Sequence, residues 1–186
     1  MRTLVYLIGA GPGAPGLLTV RGQRCLEAAD VVIYDRAVHP RVLDLAPPHA
    51  ERIDVGRPAR ELADQDAISM LLAEKAREGK VVARLKHGDS FVFDRGGEEA
   101  LFLHEHGIPF EVVPGVPSAI GVAAYAGIPL TYTGAGDTLT IVRGHGATER
   151  TAPDWKRLAE ADGTVVCYAE RAGLARMARE LLQHGR

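Results

Sequence analysis

Short apolar runs alternate with stretches whose apolar residues recur at helical spacing. Leu4 to Ile8 reads as a buried strand and feeds a turn-rich loop, Gly9 to Gly16. Leu17 to Ala29 follows as a helix with one apolar face, and Val31 to Tyr34 as a second strand ending at Asp35-Arg36. Ile53 to Val55 is a short third strand. Asp64 is placed to cap a helix whose apolar face is Ile68, Leu71, Leu72 and Ala76. Val81 to Leu85 is a fourth strand, Glu98 to His106 a helix, and Phe110 to Val113 a fifth strand. Strands alternating with helices predict a mostly parallel sheet covered on both faces.

From Pro114 the pattern changes. Pro114-Gly-Val-Pro117 opens a small-residue helix, Ser118 to Ala126, which Gly127-Ile-Pro-Leu130 ends. Strands are expected at Thr138 to Val142 and Thr164 to Tyr168, and a helix at Leu174 to Leu182. This places a boundary in the 114–131 region. An N-terminal α/β domain spans 1–114, and a smaller α/β domain spans 115–186. The second has few elements for an independent core, and Trp155 is its expected anchor. No repeat or low-complexity segment interrupts the chain.

Composition narrows the class. Of 186 residues, 46% are hydrophobic and 25% charged, the balance of a globular protein. The net charge of -2 gives no nucleic-acid footprint. Lys75, Lys80, Lys86 and Lys156 are the only lysines, so most cations are arginines. That suits an acidic substrate read bidentately, although a general bias toward Arg and Ala accounts for it equally. Cys25 and Cys167 lack metal or disulfide spacing, and His104 and His106 do not share a helix face. The N-terminal apolar run lacks a cleavage signature. Val113 to Leu130 is too broken by Pro and Gly to span a membrane. A cytoplasmic protein is expected.

The chemistry concentrates in Arg84 to Glu99, the loop leaving the fourth strand. In open α/β sheets, ligands bind outside the carboxyl ends of strands. Gly88, Gly96 and Gly97 allow close backbone approach to a ligand. Asp89, Arg95, Glu98 and Glu99 supply polar groups. Phe91, Val92 and Phe93 are costly to leave wet, which predicts a folded-in loop. Gly9-x-Gly11-x-x-Ala14 with Asp35 beyond it also fits a loose dinucleotide fingerprint. Pro12 and Pro15 remove the amide donors that a pyrophosphate needs there, so a nicotinamide enzyme is the lesser reading.

Several motifs occur in a fixed order: Gly9-Ala-Gly-Pro-Gly13 with Leu17-Leu-Thr19, Tyr34-Asp-Arg36, Gly88-Asp-x-Phe-Val-Phe93 with Arg95-Gly-Gly-Glu-Glu99, Pro114-Gly-Val-x-Ser-Ala119, and Ala126-Gly-Ile-Pro-Leu-Thr131. The chain resembles the uroporphyrinogen-III C-methyltransferases of the tetrapyrrole methylase family over nearly its whole length. Tyr-Asp-Arg joined to Arg-Gly-Gly-Glu-Glu is the specific part. The resemblance implies two α/β domains with S-adenosylmethionine in the cleft between them, S-adenosylhomocysteine as by-product, and a homodimer. It also implies two methyl transfers to uroporphyrinogen III giving precorrin-2, for sirohaem or cobalamin. No nucleic acid, membrane or metal is implied.

By the same resemblance, Asp35 matches the family's proton acceptor, and Arg95 and Glu98 match residues that engage the tetrapyrrole and assist proton removal. Arg57 stands where a lysine is the suggested proton donor. A permanently charged arginine gives electrostatic help only. Pro12, His87, Gly88, Asp89, Val92, Pro117, Ser118 and Ala169 fall at cofactor-contact positions. Plain structural alternatives stand beside these: an Asp35–Arg36 turn pair, and an Arg95–Glu98 ion pair at a helix start.

Departures from the family pattern are expected to matter. His87 replaces a glycine, Ser90 a proline, Asp94 a glycine, Pro117 a threonine, Ala169 a methionine, and Tyr132-Thr133 a His-Arg pair. Family members continue with strands beyond the position of Arg186, so a shortened C-terminal domain with an exposed edge is expected. A related precorrin methyltransferase and a non-catalytic tetrapyrrole-binding remnant remain as rival readings.

Overall fold

The computed structural model describes residues 4–56, 65–134, 136–144 and 153–186. Arg57 and Asp64, singled out above, lie outside the described residues. The chain divides into two compact units between Gly121 and Val122.

The first unit is built on five parallel strands: β1 (Leu4–Gly9), β2 (Val31–Tyr34), β3 (Glu51–Asp54), β4 (Val81–Lys86) and β5 (Phe110–Val113). Their order across the sheet is β3-β2-β4-β1-β5. The connecting helices are α1 (Val20–Glu27), α2 (Pro40–Leu43), α3 (Gln65–Arg77) and α4 (Gly96–Glu105). The alternation of each strand divides its side chains between two cores. Ile8, Val32, Ala83 and Leu85 pack with Leu18, Cys25, Leu26 and Val42 on the α1 and α2 face. Val5, Leu7, Val31, Ile33 and Val82 pack with Leu72, Ala76, Ala100 and Leu103 on the α3 and α4 face. Each fully buried leucine or isoleucine here contributes about 1.5–3 kcal/mol of apolar transfer.

The elements depart from the sequence expectation for local reasons. The first helix starts at Val20 because Pro15–Leu17 forms a 3-10 turn, and Thr19 then caps α1 by accepting from the Gly22 amide at 3.0 Å. The third strand lies at Glu51–Asp54, because its amide ladder follows β2 in register Val31↔Glu51 to Tyr34↔Asp54. Three of its four residues are exposed, so apolar pattern is a weak guide to it. Phe91, Val92 and Phe93 are not folded in; their exposures are 53%, 37% and 40%.

The second unit begins inside α5 (Ser118–Tyr125) and contains β6 (Leu139–Arg143), α6 (Trp155–Glu160), β7 (Thr164–Tyr168) and α7 (Leu174–Gln183). β6 and β7 pair in parallel as a two-stranded sheet. Asp154 caps α6 through the Arg157 amide at 3.0 Å. Leu158 and Met177 are the buried side chains of α6 and α7, whereas Trp155 is only half-buried. Among the described residues, no helix is long and apolar enough to cross a membrane.

Candidate functional site

The strand order creates an opening at one edge of the first unit. β1 and β4 are neighbours. The chain leaving β1 goes to α1 on one face, and the chain leaving β4 goes to α4 on the other. Loops that part in this way leave a crevice at the carboxyl ends of the two strands. The loops after β1, β2, β4 and β5 all start at this edge.

Glycine holds three of these loops together. Gly11 and Gly88 exchange amide bonds, Gly11 N–H to Gly88 O at 3.0 Å and Gly88 N–H to Gly11 O at 2.9 Å. Both residues adopt positive φ, 72° and 70°, a conformation glycine reaches at least cost. A Cβ on Gly9 would lie 2.6 Å from Gly115 Cα and 2.7 Å from Gly88 O. Asp89 ties the loop after β4 to the loop after β5. Its Oδ1 accepts from the Phe91 amide and its Oδ2 from the Gly115 amide, each at 2.9 Å. His87 Nε2 meets Ser118 Oγ at 2.8 Å, while His87 Nδ1 is buried without a partner among the described residues. Pro12 packs under Gly121, where an added Cβ would lie 2.7 Å from its Cγ.

Beneath this edge lies an ion cluster that apolar patterning does not reveal. Val82, Arg84 and Lys86 share one face of β4 by alternation. Arg84 and Lys86 are each 1% exposed. Arg84 donates from Nη2 to Asp35 Oδ1 at 2.6 Å and from Nε to Glu99 Oε1 at 3.0 Å. Glu99, on α4, is fully buried, and its Oε1 also receives Gln65 Nε2 at 3.1 Å and Lys86 Nζ at 3.3 Å. Its Oε2 has no partner among the described residues. Lys86 Nζ further pairs with Asp94 Oδ1 at 2.9 Å and lies 3.7 Å from Asp35 Oδ2. Burial works against the Arg84 charge, but Glu99 and Asp35 outweigh it and hold the guanidinium above its ordinary pKa. The signal for this cluster was present in the sequence: two cations two residues apart in an otherwise apolar strand demand buried anions.

Residues 4–186 match the family model for Tetrapyrrole (Corrin/Porphyrin) Methylases. The chain belongs to the tetrapyrrole methylase family. It is 48% identical over 182 residues to a siroheme synthase of Nitrosomonas eutropha, and 49% identical over 183 residues to one of Pseudomonas putida strain W619. These alignments cover 97% and 98% of this chain but only 38% and 39% of those proteins. The chain thus spans about two fifths of the curated relatives it matches. Among solved structures it resembles a uroporphyrin-III C-methyl transferase from Thermus thermophilus complexed with S-adenyl homocysteine. The TM-score is 0.81 at 44% identity, covering 98% of this chain and 77% of that one. A cobalt precorrin-4 methyltransferase matches with TM-score 0.85 at 28% identity, covering 99% and 76%.

Within this methylase fold, the residues expected at the site fall into distinct groups. Pro12, His87, Gly88, Asp89, Pro117 and Ser118 belong to the knot formed by the loops after β1, β4 and β5. Val92 is exposed on the same β4 loop. Asp35 is held by Arg84 from β4, and not in the Arg36 pair considered above as a plain alternative. Arg95 and Glu98 form an exposed i,i+3 pair at 3.4 Å. Ala169 follows β7 in the second unit. Gly96 has a packing role, since its amide donates to Ser90 O at 3.1 Å and a Cβ there would collide with that carbonyl. Sequence reasoning gave no site role to Arg84, Lys86 and Gln65, and singled out Glu99 only as a polar group of the loop.

Proposed function

We propose that this chain methylates uroporphyrinogen III at two pyrrole carbons in succession, using S-adenosylmethionine and giving precorrin-2. The observation that carries the reading is Asp35. It is a carboxylate at the end of β2, anchored from below by a buried arginine and part-exposed above, in a chain with 44% identity to a Thermus uroporphyrin-III C-methyl transferase. That identity exceeds the 28% shared with the cobalt precorrin-4 methyltransferase and favours uroporphyrinogen III over a later precorrin.

The residues present fit the cofactor. The knotted loops bring buried Gly88 against part-exposed Pro117 and Ser118, and His87 Nδ1, without a partner among the described residues, is a buried polar atom suited to a ligand partner. His87, Gly88, Asp89, Pro117 and Ser118 would hold it, with Pro12 and Val92 alongside. When bound, the cofactor supplies an activated methyl on a sulfonium, and the electron pair of the broken C–S bond stays on sulfur. The protein's task is then alignment and proton removal. Asp35 accepts the proton that the macrocycle must lose. Arg84 fixes Asp35 by a bond of 2.6 Å that leaves the second oxygen available. Arg95 and Glu98, exposed on the same loop and helix start, engage the substrate's carboxylates and polar edge. Arg57 adds positive charge. The active form is a cytoplasmic homodimer.

Calorimetric titration with S-adenosylhomocysteine tests the cofactor half. Saturable heat is expected, and none at high protein concentration would overturn it. Incubation with uroporphyrinogen III and the cofactor should give a product that oxidises to an isobacteriochlorin-type chromophore. Asp35→Asn should slow its appearance about 10²–10⁴-fold, the usual weight of a general base. Binding of both ligands with no chromophore would select the non-catalytic reading.

A further inference from the structure

Three carboxylates share one buried ammonium. Lys86 Nζ lies 2.9 Å from Asp94, 3.3 Å from Glu99 and 3.7 Å from Asp35 Oδ2. Lys86 is 1% exposed, so water does not supply a substitute partner. Asp94 is the best-placed of the three, and it is itself fixed: its Oδ1 also accepts the Arg95 amide at 2.6 Å. Glu99 already takes Arg84 and Gln65 on the same oxygen. The Asp35 oxygen facing Lys86 sits beyond hydrogen-bond distance, whereas its other oxygen keeps Arg84 at 2.6 Å.

We propose that Asp94 is a positioning residue which holds Lys86 away from Asp35 and so keeps Asp35 Oδ2 free to take a proton from substrate. The inference rests on the reading of Asp35 as proton acceptor. The groups that act on Asp35 are Arg84 and Lys86 from β4, Glu99 from α4 through those two cations, and Asp94 from the loop after β4. Arg36 follows Asp35 in its own turn, and Asp54 ends the neighbouring strand β3. Gln65 from α3 is neutral.

The sign follows from charge. Removing the Asp94 anion takes away a like charge and frees Lys86 to approach Asp35. Both changes favour the ionised Asp35 and weaken it as a base. Removing Lys86 does the opposite.

The test is the pH–rate profile of methyl transfer in Asp94→Asn, beside the ¹³C titration of the Asp35 carboxyl carbon without turnover. That resonance is assigned by its loss in Asp35→Asn. Asp94→Asn should move the acidic limb and the ¹³C midpoint to lower pH and lower the plateau rate. Asp94→Glu should restore both. Asp94→Ser, which keeps an oxygen for the Arg95 amide, should shift the profile as Asp94→Asn does and serves if the first variant fails to fold. Lys86→Met should move the midpoint upward. Profiles and midpoints superimposable on the parent in Asp94→Asn and Asp94→Ser would overturn the proposal. An Asp35→Asn variant that transfers methyl at the parent rate would instead remove the reading beneath it.

Discussion

Arg84→Met is the most exacting perturbation of the first unit. Methionine matches the aliphatic stem and removes only the guanidinium. The change deletes the bonds to Asp35 at 2.6 Å, to Glu99 at 3.0 Å and to the Leu85 carbonyl at 3.2 Å. Asp35 is part-exposed and can recover water. Glu99 is fully buried, and among the described residues it keeps Gln65 and Lys86 and already carries one oxygen without a partner. Breaking a buried pair from one side costs about 3–5 kcal/mol when the remaining charge has no compensation; Lys86 at 3.3 Å still neutralises Glu99 in part and sets the loss at the lower end. That is a large fraction of the 5–15 kcal/mol typical of a domain. Urea denaturation, followed by a probe in the first unit, should show a lower midpoint with an unchanged slope. Arg84→Met combined with Glu99→Leu should lose less than Arg84→Met alone, since a well-packed apolar pair often equals or exceeds a buried ion pair. A loss below about 1 kcal/mol in Arg84→Met, the range of an exposed pair, would refute the view that these charges are interlocked.

Two further outcomes follow from the same geometry. Gly9→Ala forces a Cβ against the backbones of Gly115 and Gly88; it should destabilise by about 1–3 kcal/mol or more and abolish S-adenosylhomocysteine binding in calorimetry. Glu111 is held below its ordinary carboxylate pKa of 4.5 by hydrogen bonds from Arg21 at 2.7 and 2.5 Å. Its contribution to stability is complete above the ordinary value and is lost as pH falls through the lowered one. Urea midpoints measured from pH 6 downward should therefore fall less in Arg21→Gln than in the parent over that acidic window.

The central sheet was legible because its inner strands are buried on both faces and read as apolar runs, as in Val31–Ile33 and Val81–Ala83. The edge strand Glu51–Asp54 was misplaced because it is fixed by its backbone ladder with β2, which leaves little trace in side-chain polarity. Helix α6 went unforeseen because only Leu158 on it is buried, so it lacks a periodic stripe. The loops of the site were legible through glycine and proline spacing. The role of those glycines was not: Gly9, Gly96 and Gly115 make room for neighbouring backbone. The charge cluster was legible only in part, because two cations in an apolar strand call for buried anions without saying which. Its members come from β2, β4, the loop after it, and the starts of α3 and α4, and only the fold shows that Arg84 and Lys86 point at Glu99 rather than at solvent. Phe91, Val92 and Phe93 show that an apolar cluster in a loop can remain on the surface.

The decisive measurement is the mass of the product formed from uroporphyrinogen III and methyl-labelled S-adenosylmethionine. Two labelled methyl groups on the macrocycle, with their appearance strongly slowed in Asp35→Asn, are the predicted result. An unmodified macrocycle from a folded chain that binds S-adenosylhomocysteine, or an Asp35→Asn variant as fast as the parent, would contradict the account.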